Sequence, residues 1–301
     1  MRISASLRLG AALVAAAPTA DATAAGDTRR DGAPAYYVAV ELVYVHTVVR
    51  HLARPVGGLT ADDFILLEDG RPVSIDFFEN RGTSIDLYVL IDVSRSMRDD
   101  LGSVRKATRA FIAGLGDEDR VSLITFNHDV VSETALSGER APARAALDGL
   151  ESRGGTAMYA AVEHALARIN RTRRRSAIVV FSDGRDPTRD RLPRILHNAL
   201  ILGVAIYTIQ VEDRRLTAEA RRDIEALTEQ TGGRAQFISG ARKLRGSYDA
   251  ILDELRSRYV LAFTPSPGPP GQRRIEVRAR DHRYEVRSRS SFVHGKGVLV
   301  D

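Results

Sequence analysis

Hydrophobic and polar positions follow two different patterns along this chain of 301 residues. Near both ends, apolar residues recur at every second position, which is the period of a half-buried β-strand. Between the ends, short apolar runs alternate with segments whose apolar residues recur every three to four positions, the period of an amphipathic helix. The patterns therefore predict β structure towards both ends and repeated strand–helix units in the middle.

The middle region predicts an α/β fold. Predicted strands are Ile85–Ile91, Arg120–Phe126, Val130–Glu133, Ala177–Phe181, Val204–Val211 and Ala235–Ile238. Predicted helices are Asp99–Gly114, Ala141–Leu150, Ala157–Asn170, Leu192–Leu202, Thr217–Thr231 and Tyr248–Arg258. Strands that alternate with helices form a doubly wound, mostly parallel, Rossmann-like sheet with helices on both faces. Ligands bind such sheets at the carboxyl ends of the strands, where the strand order reverses.

The segment before this region predicts β structure. Alternate positions carry the side chains Val38, Val40, Leu42, Tyr44 and His46. A capped helical turn at 60–63 leads into a predicted hairpin of Ile65–Leu67 and Val73–Phe78, joined by Glu68-Asp69-Gly70.

The segment after the middle region also alternates. Val260–Phe263 is a predicted strand, and Arg274–Arg280 with Arg283–Arg289 predict a two-stranded ribbon around Asp281-His282. Because a lone hairpin is marginally stable, we expect the two ends of the chain to pair into one small β domain. The α/β domain is then inserted between them.

The first residues resemble a secretion signal. Arg2 and Arg8 supply positive charge, Leu9–Ala17 is a short apolar stretch, and Ala22-Thr23-Ala24 fits a cleavage site. An Ala-rich leader without a targeting role is the alternative. The predicted organisation is a signal peptide (1–24), a flexible lead-in (25–35), an N-terminal β segment (36–81), an α/β domain (82–258), a C-terminal β segment (259–294) and a tail (295–301). We expect a protein outside the cytoplasm, periplasmic or secreted, and no segment reaches transmembrane length.

Charge and cysteine content narrow the function classes. The formal net charge is +5, but acidic residues are interspersed almost everywhere, and the densest basic run, Arg171–Arg175, follows a predicted helix end. Cations favour that position, so we expect no nucleic-acid partner. The chain has no cysteine, so its stability must come from the core.

Polar oxygen-bearing residues follow two predicted strands and one loop. Asp92-Val93-Ser94-Arg95-Ser96 comes at the end of Ile85–Ile91, and Ser182-Asp183-Gly184 follows Ala177–Phe181. Gly154-Gly155-Thr156 lies between them. Asp92, Ser94 and Ser96 place three hard oxygen ligands on one loop, a set suited to Mg²⁺ or Mn²⁺.

This pattern, Asp-x-Ser-x-Ser followed by a distant Thr and a distant strand-terminal Asp, resembles the metal-ion-dependent adhesion site (MIDAS) of von Willebrand factor type A (VWA) domains. The whole chain after the leader is similar to the bacterial VWFA-related exported family, through residues 40–43, 59–64 and 68–70 near its start and 258–265 near its end. The resemblance implies a Rossmann-like fold and a divalent cation, Mg²⁺ or else Mn²⁺ or Ca²⁺. The implied metal ligands are Asp92, Ser94, Ser96, Thr156 and Asp183.

The resemblance also implies non-catalytic binding of a partner protein. A cation held mainly by neutral hydroxyls stays electrophilic and attracts an Asp or Glu carboxylate offered by that partner. Arg95, Arg153 and Arg185 are expected near the rim of the site, where they either steer acidic partners or are merely solvated. His128, His164 and His197 share no metal-ligand spacing and are expected to be surface or turn residues.

Several alternatives stay open at this point. Asp92 and the serines are also common helix-capping and turn residues. A Mg²⁺-dependent hydrolase or phosphatase with Asp92 as nucleophile is the main rival, although no Lys or His base can be placed beside it. A scaffold with a purely stabilising metal is the third possibility. Nucleotide binding is disfavoured because the loop after the first central strand lacks a Gly-rich phosphate cradle.

Overall fold

The computed structural model describes residues 42–52, 54–80, 84–170, 174–183, 186–211 and 216–295. The predicted signal peptide, the lead-in and the start of the N-terminal β segment lie outside the described residues, as does nearly all of the predicted tail. None of the helices within the described ranges is long and apolar enough to cross a bilayer.

The described residues form strands and α-helices numbered here in chain order. The strands are β1 (Val43–His51), β2 (Arg54–Pro55), β3 (Phe64–Glu68), β4 (Arg71–Val73), β5 (Phe77–Glu79), β6 (Ile85–Asp92), β7 (Arg120–Phe126), β8 (Val130–Ser132), β9 (Arg175–Ser182), β10 (Ala205–Val211), β11 (Ala235–Ile238), β12 (Tyr259–Phe263), β13 (Gly271–Ala279), β14 (Glu285–Arg287) and β15 (Ser291–His294). The helices are α1 (Leu101–Ala113), α2 (Ala141–Ala146), α3 (Met158–Leu166), α4 (Leu192–Leu202), α5 (Ala218–Gln230) and α6 (Leu244–Arg256).

A six-stranded sheet occupies the middle of the chain, with the order β11-β10-β9-β6-β7-β8. Its strands are parallel except for β8, which is antiparallel to β7. All eight residues of β6 are buried, as expected for a strand covered on both faces. The predicted α/β, doubly wound, Rossmann-like fold is therefore confirmed.

Helices cover both faces of this sheet. One apolar core joins the sheet to α1, α2 and α6, and the other joins it to α3, α4 and α5. Within this sheet, β6 comes first along the chain. β7 and β8 are then added on one side of β6, and β9 is added on its other side. The strand order thus reverses between β6 and β9, which places the carboxyl ends of these two strands at the usual ligand position of such folds.

The remaining strands form two further sheets, with the orders β14-β1-β12-β5 and β15-β13-β3-β4. Strands from before and after the α/β region pair directly, because β1 is antiparallel to β12 and β3 is antiparallel to β13. One apolar core, which includes Val45, Leu66, Leu261 and Val277, lies between the two sheets. We call β1–β5 together with β12–β15 the flanking sandwich.

The hairpin predicted in the N-terminal segment is shorter than expected. β3 and β4 pair around Asp69-Gly70, and both turn residues have positive φ, 49° and 81°. Two positive φ values match the twist of a two-residue hairpin turn. The predicted second strand, Val73–Phe78, is wrong because it is split: β4 ends at Val73, and β5 pairs with β12 in the other sheet.

The two-stranded ribbon predicted for residues 274–289 is also wrong. β13 pairs with β15 and β3, whereas β14 pairs with β1. The predicted alternation is confirmed for β13, since Ile275, Val277 and Ala279 are buried. It fixes which face of a strand is buried but not which strand lies beside it, and here each half of the segment completes a different sheet.

Candidate metal centre

Asp92 is the last residue of β6 and is completely buried. Its Oδ1 accepts a hydrogen bond from the Ser94 amide at 2.8 Å, and its Oδ2 accepts one from the Ser182 hydroxyl at 2.6 Å. The first bond closes the tight turn that follows the strand. The second joins the ends of β6 and β9, which are neighbours in the sheet.

The two serines of the motif lie on the same turn. Ser94 is 1% exposed, whereas Ser96 is an exposed residue of the short 3₁₀ helix Arg95–Met97. Their hydroxyl oxygens are 3.0 Å apart. The spacing of two residues therefore brings two neutral oxygen donors together beside the Asp92 carboxylate.

Asp183 directly follows β9 and is 3% exposed. Burial raises the pKa of Asp92 to about 6, and the negative charge of Asp183 adds to this shift, while the hydrogen bonds from Ser182 and Ser94 oppose it. Two carboxyl groups that repel each other in a buried position are stabilised by a cation between them.

The Gly154–Thr156 loop is hydrogen-bonded to the Asp92 turn. The Arg95 amide donates to the Gly154 carbonyl at 3.1 Å, and the Arg153 amide donates to the Val93 carbonyl at 2.8 Å. Thr156 is half-buried on this loop. The structure thus places the Thr156 loop beside the Asp92 turn.

His128 contacts this loop, a contact that the sequence analysis missed. Gly154 has φ +71°, and a Cβ built on it would lie 2.0 Å from Nδ1 of His128. The imidazole therefore fills the space that any larger residue at position 154 would need. His128 follows the end of β7, and the proximity of this loop to Gly154 arises from the sheet order, so no local spacing could reveal it.

Ser152 was not predicted as part of the centre, and Ser182 was named only within the segment Ser182-Asp183-Gly184, without a role of its own. The Ser152 hydroxyl donates to the Ser94 carbonyl at 2.5 Å, and Ser182 binds Asp92 as described above. Ser182 stands directly before the strand-terminal Asp183, which was the available sequence signal. Both serines hold the Asp92 turn in place.

The donor set suits a hard divalent cation held largely by hydroxyls. Across the ranges that the structure describes, no three or more His, Cys, Asp or Glu side chains form a metal-binding group. The Asp92 and Asp183 carboxylates and the Ser94 and Ser96 hydroxyls are oxygen donors, the type that Mg²⁺, Mn²⁺ and Ca²⁺ accept. Of the arginines predicted at the rim, Arg95 and Arg153 are exposed, and Arg185 lies outside the described residues.

Part of the α/β region is similar to a known protein family. Residues 87–185 match the family described as von Willebrand factor type A domain. No curated protein sequence matches the chain significantly.

Two solved structures illustrate the shared fold. A von Willebrand factor type A protein from Catenulispora acidiphila has a TM-score of 0.51 and 13% identity over 86% of this chain and 73% of its own. Proximal thread matrix protein 1 from the mussel byssus, whose structure has a zinc-occupied MIDAS motif, has a TM-score of 0.51 and 15% identity. That alignment covers 64% of this chain and 50% of the mussel protein.

Proposed function

We propose that this chain, which carries a VWA domain, binds a divalent cation at a MIDAS and uses it to recognise a carboxylate on a partner protein. The observation that carries the proposal is the pair of buried, mutually repelling carboxyl groups of Asp92 and Asp183, together with the Ser94 and Ser96 hydroxyls on the turn that follows Asp92. Asp92, Ser94, Ser96, Thr156 and Asp183 would hold the cation, with Mg²⁺ as the expected ion and Mn²⁺ or Ca²⁺ as substitutes.

Each residue has a distinct task in this proposal. Ser94 and Ser96 offer neutral oxygens, while Asp92 and Asp183 supply the negative charge that attracts the cation. The bound cation supplies an electrophilic position for a carboxylate from the partner. Ser182 and Ser152 keep the Asp92 turn in its conformation through the hydrogen bonds at 2.6 and 2.5 Å.

We propose a binding role without catalysis. Within the described residues, the side chains of Asp92 and Ser94 bond to serine hydroxyls and a backbone amide, and neither bonds to a His or Lys base. The expected result is that Mg²⁺-loaded protein does not turn over p-nitrophenyl phosphate. Turnover that disappears in Asp92→Asn would contradict the proposal and favour a phosphatase.

Paramagnetic NMR tests carboxylate recognition directly. The probe is a blocked tripeptide, Gly-Asp-Gly, added to Mn²⁺-loaded protein, with Gly-Asn-Gly as the matched control. We expect faster relaxation of the Asp methylene protons than of the Asn ones, and loss of the difference in Ser96→Ala. Equal relaxation of both peptides would mean that the metal is not a carboxylate receptor.

We also propose that the protein is exported, on the strength of the charged and apolar pattern of residues 1–24. N-terminal sequencing of protein recovered from outside the cytoplasm tests this. A mature chain that begins at Ala25 is expected, and a chain retained in the cytoplasm with Met1 intact would contradict export.

A further inference from the structure

A second site lies away from the candidate metal centre. A cleft of about 910 Å³ opens between α5 and β11 of the α/β region and strands β1, β13 and β14 of the flanking sandwich. None of the five proposed metal ligands lines it. Its volume is within the range of about 300–1,000 Å³ that is usual for small-molecule sites.

The cleft is lined by arginines from both parts of the molecule. Arg50 lies on β1 and Arg287 on β14, while Arg234 precedes β11. Behind them, Glu254 of α6 is 1% exposed and pairs with three guanidinium groups at once. Arg50 binds it at 3.1 Å, Arg258 lies 3.6 Å away, and Arg287 forms a further ion pair.

Positive charge exceeds negative charge around Glu254. Partial desolvation of the guanidinium lowers the pKa of Arg234, and Arg287 and Arg50 lower it further, each more strongly than Glu254 or Glu285 raises it. This group contains four guanidiniums, those of Arg50, Arg234, Arg258 and Arg287, and two carboxylates, those of Glu254 and Glu285. Four positive groups against two negative ones leave two positive charges without a counter-charge in this group.

Other lining charges do not cancel this excess. Glu225 pairs with Arg221 at 3.2 Å, and Glu276 pairs with Arg278 at 2.6 Å. These two carboxylates therefore already have their own cations, and the remaining lining acid, Glu229, is offset in number by the lining Arg289.

The arginines also retain unused hydrogen-bond donors. Arg289, which lines the same cleft, is 8% exposed and donates from Nη1 to the Leu200 carbonyl at 3.2 Å. Among the residues that the structure describes, the buried Nε atoms of Arg50, Arg287 and Arg289 have no hydrogen-bond partner. Buried donors without partners are uncommon and costly, so the wall of the cleft carries more hydrogen-bond donors than its own acceptors satisfy.

We propose that this cleft binds a small molecule that carries a phosphate group, held between Arg50, Arg234 and Arg287. Guanidinium groups match the oxygens of phosphate in charge and planar geometry. A phosphate dianion balances the two excess positive charges, whereas a carboxylate balances only one. The ligand contacts both the α/β region and the flanking sandwich, so its binding stabilises the junction between them.

Calorimetric titration of the full chain with inorganic phosphate tests this site. EDTA in the buffer removes divalent cations, so that the metal centre does not contribute to the measured heat. Sodium chloride holds the ionic strength constant. We expect saturable one-site binding to the wild-type chain, weakened about tenfold or more in Arg234→Gln. Arg234 is exposed, so this variant should fold, and circular dichroism verifies it.

A matched control and a second probe complete the test. Arg222 is an exposed arginine of α5 that does not line the cleft, and Arg222→Gln should bind phosphate as the wild type does. Acetate at the same concentrations should bind more weakly than phosphate. The proposal is overturned if phosphate binding is not saturable, if Arg234→Gln binds as tightly as the wild type, or if acetate binds equally well.

Discussion

At the scale of single residues, the conformation of the Asp92 turn determines what the centre can do. Asp92 is the end of a buried strand, and its carboxylate is shared between the Ser94 amide and the Ser182 hydroxyl. Each bond uses one carboxylate oxygen, and Asp183 adds a second negative charge nearby. This combination of repulsion and burial is unfavourable without a cation and favourable with one.

Asp92→Asn is expected to stabilise the metal-free protein at pH 7. The folded-state pKa of Asp92, about 6, is above its ordinary value of 3.8, so folding favours the protonated form. The stability gained from that form is complete below pH 3.8 and is lost as the pH rises through 6. At pH 7 the charged group therefore costs on the order of 2 to 3 kcal/mol.

Urea denaturation in EDTA at pH 7 and at pH 4 measures this effect. The variant should unfold at higher urea than the wild type at pH 7, and the difference should shrink at pH 4. Added Mg²⁺ should stabilise the wild type only. A variant that is less stable than the wild type at pH 7 would show that the Asp92 hydrogen bonds outweigh its charge.

Gly154→Ala should disturb the Thr156 loop because the added Cβ would lie 2.0 Å from Nδ1 of His128, at a φ of +71°. Strain and displacement of His128 together should cost about 1 to 3 kcal/mol and weaken Mg²⁺ binding. Gly155→Ala is the matched control, because nothing lies within 4 Å of a Cβ built there. Equal metal affinity of the two variants would contradict a positioning role for Gly154.

The sequence predicted part of this centre and missed another part. Asp92 and Asp183 could be placed at strand ends because the apolar runs before them define buried strands. Ser152 and His128 could not be placed, since their contacts with the Ser94 carbonyl and with Gly154 depend on how separate loops meet. Local spacing carries no information about such contacts.

At the scale of elements, α6 joins the α/β region to the flanking sandwich. It ends at Arg256, and β12 begins at Tyr259. On the buried face of α6, Glu254 forms ion pairs with Arg50 of β1 and Arg287 of β14. Desolvation alone would raise the pKa of this carboxyl, but the neighbouring arginines outweigh it and hold the pKa below its usual value.

Glu254→Ala should therefore destabilise the protein strongly. The substitution leaves buried guanidinium groups without their counter-charge, which costs about 3 to 5 kcal/mol in comparable buried pairs. Asp253→Ala changes an exposed acid on the same helix and should alter stability by about 0.5 kcal/mol or less. Urea denaturation measures the free energy of unfolding of both variants. Similar losses of this free energy in the two variants would mean that the ion pairs of Glu254 contribute little to stability.

The sequence predicted the bounds of several helices and strands from their hydrophobic pattern. It did not predict which strands pair with each other. The helix at Leu192–Leu202 and the strands at Arg120–Phe126 and Ala235–Ile238 have the predicted bounds. The last helix begins at Leu244, one turn before the predicted Tyr248, because Leu244 is buried on the same face. β13 has the expected alternation, but β13 and β14 pair with the distant strands β3 and β1.

At the scale of the whole molecule, the flanking sandwich and the α/β region share a buried, charged junction. His46 of β1 is half-buried there, and desolvation of its imidazole together with Arg258, Arg175 and Arg289 keeps its pKa well below the ordinary value. Arg258 donates to the Gly232 carbonyl at 2.9 Å. Separating the flanking sandwich from the α/β region would break these contacts across the junction. We therefore expect the two parts to unfold together.

Scanning calorimetry tests this coupling. We expect one transition for the full chain, with a calorimetric enthalpy equal to the van't Hoff enthalpy. The physical reason is that the strands of the sandwich come from both sides of the α/β region and contact α6 between them. Two resolved transitions would contradict the coupling and would mean that the junction opens before either part unfolds.

The central claim is that the hydroxyl-rich turn after β6 binds a divalent cation. The most direct test is calorimetric titration of the full chain with Mg²⁺ and Mn²⁺, beside Ser96→Ala. Ser96 is exposed, so its loss should leave the fold intact, and Ser103→Ala on the exposed face of α1 is the matched control. One-site binding in the wild type and control, weakened about tenfold or more in Ser96→Ala, is predicted. Equal binding by Ser96→Ala, or no binding to the wild type at millimolar metal, would contradict the account.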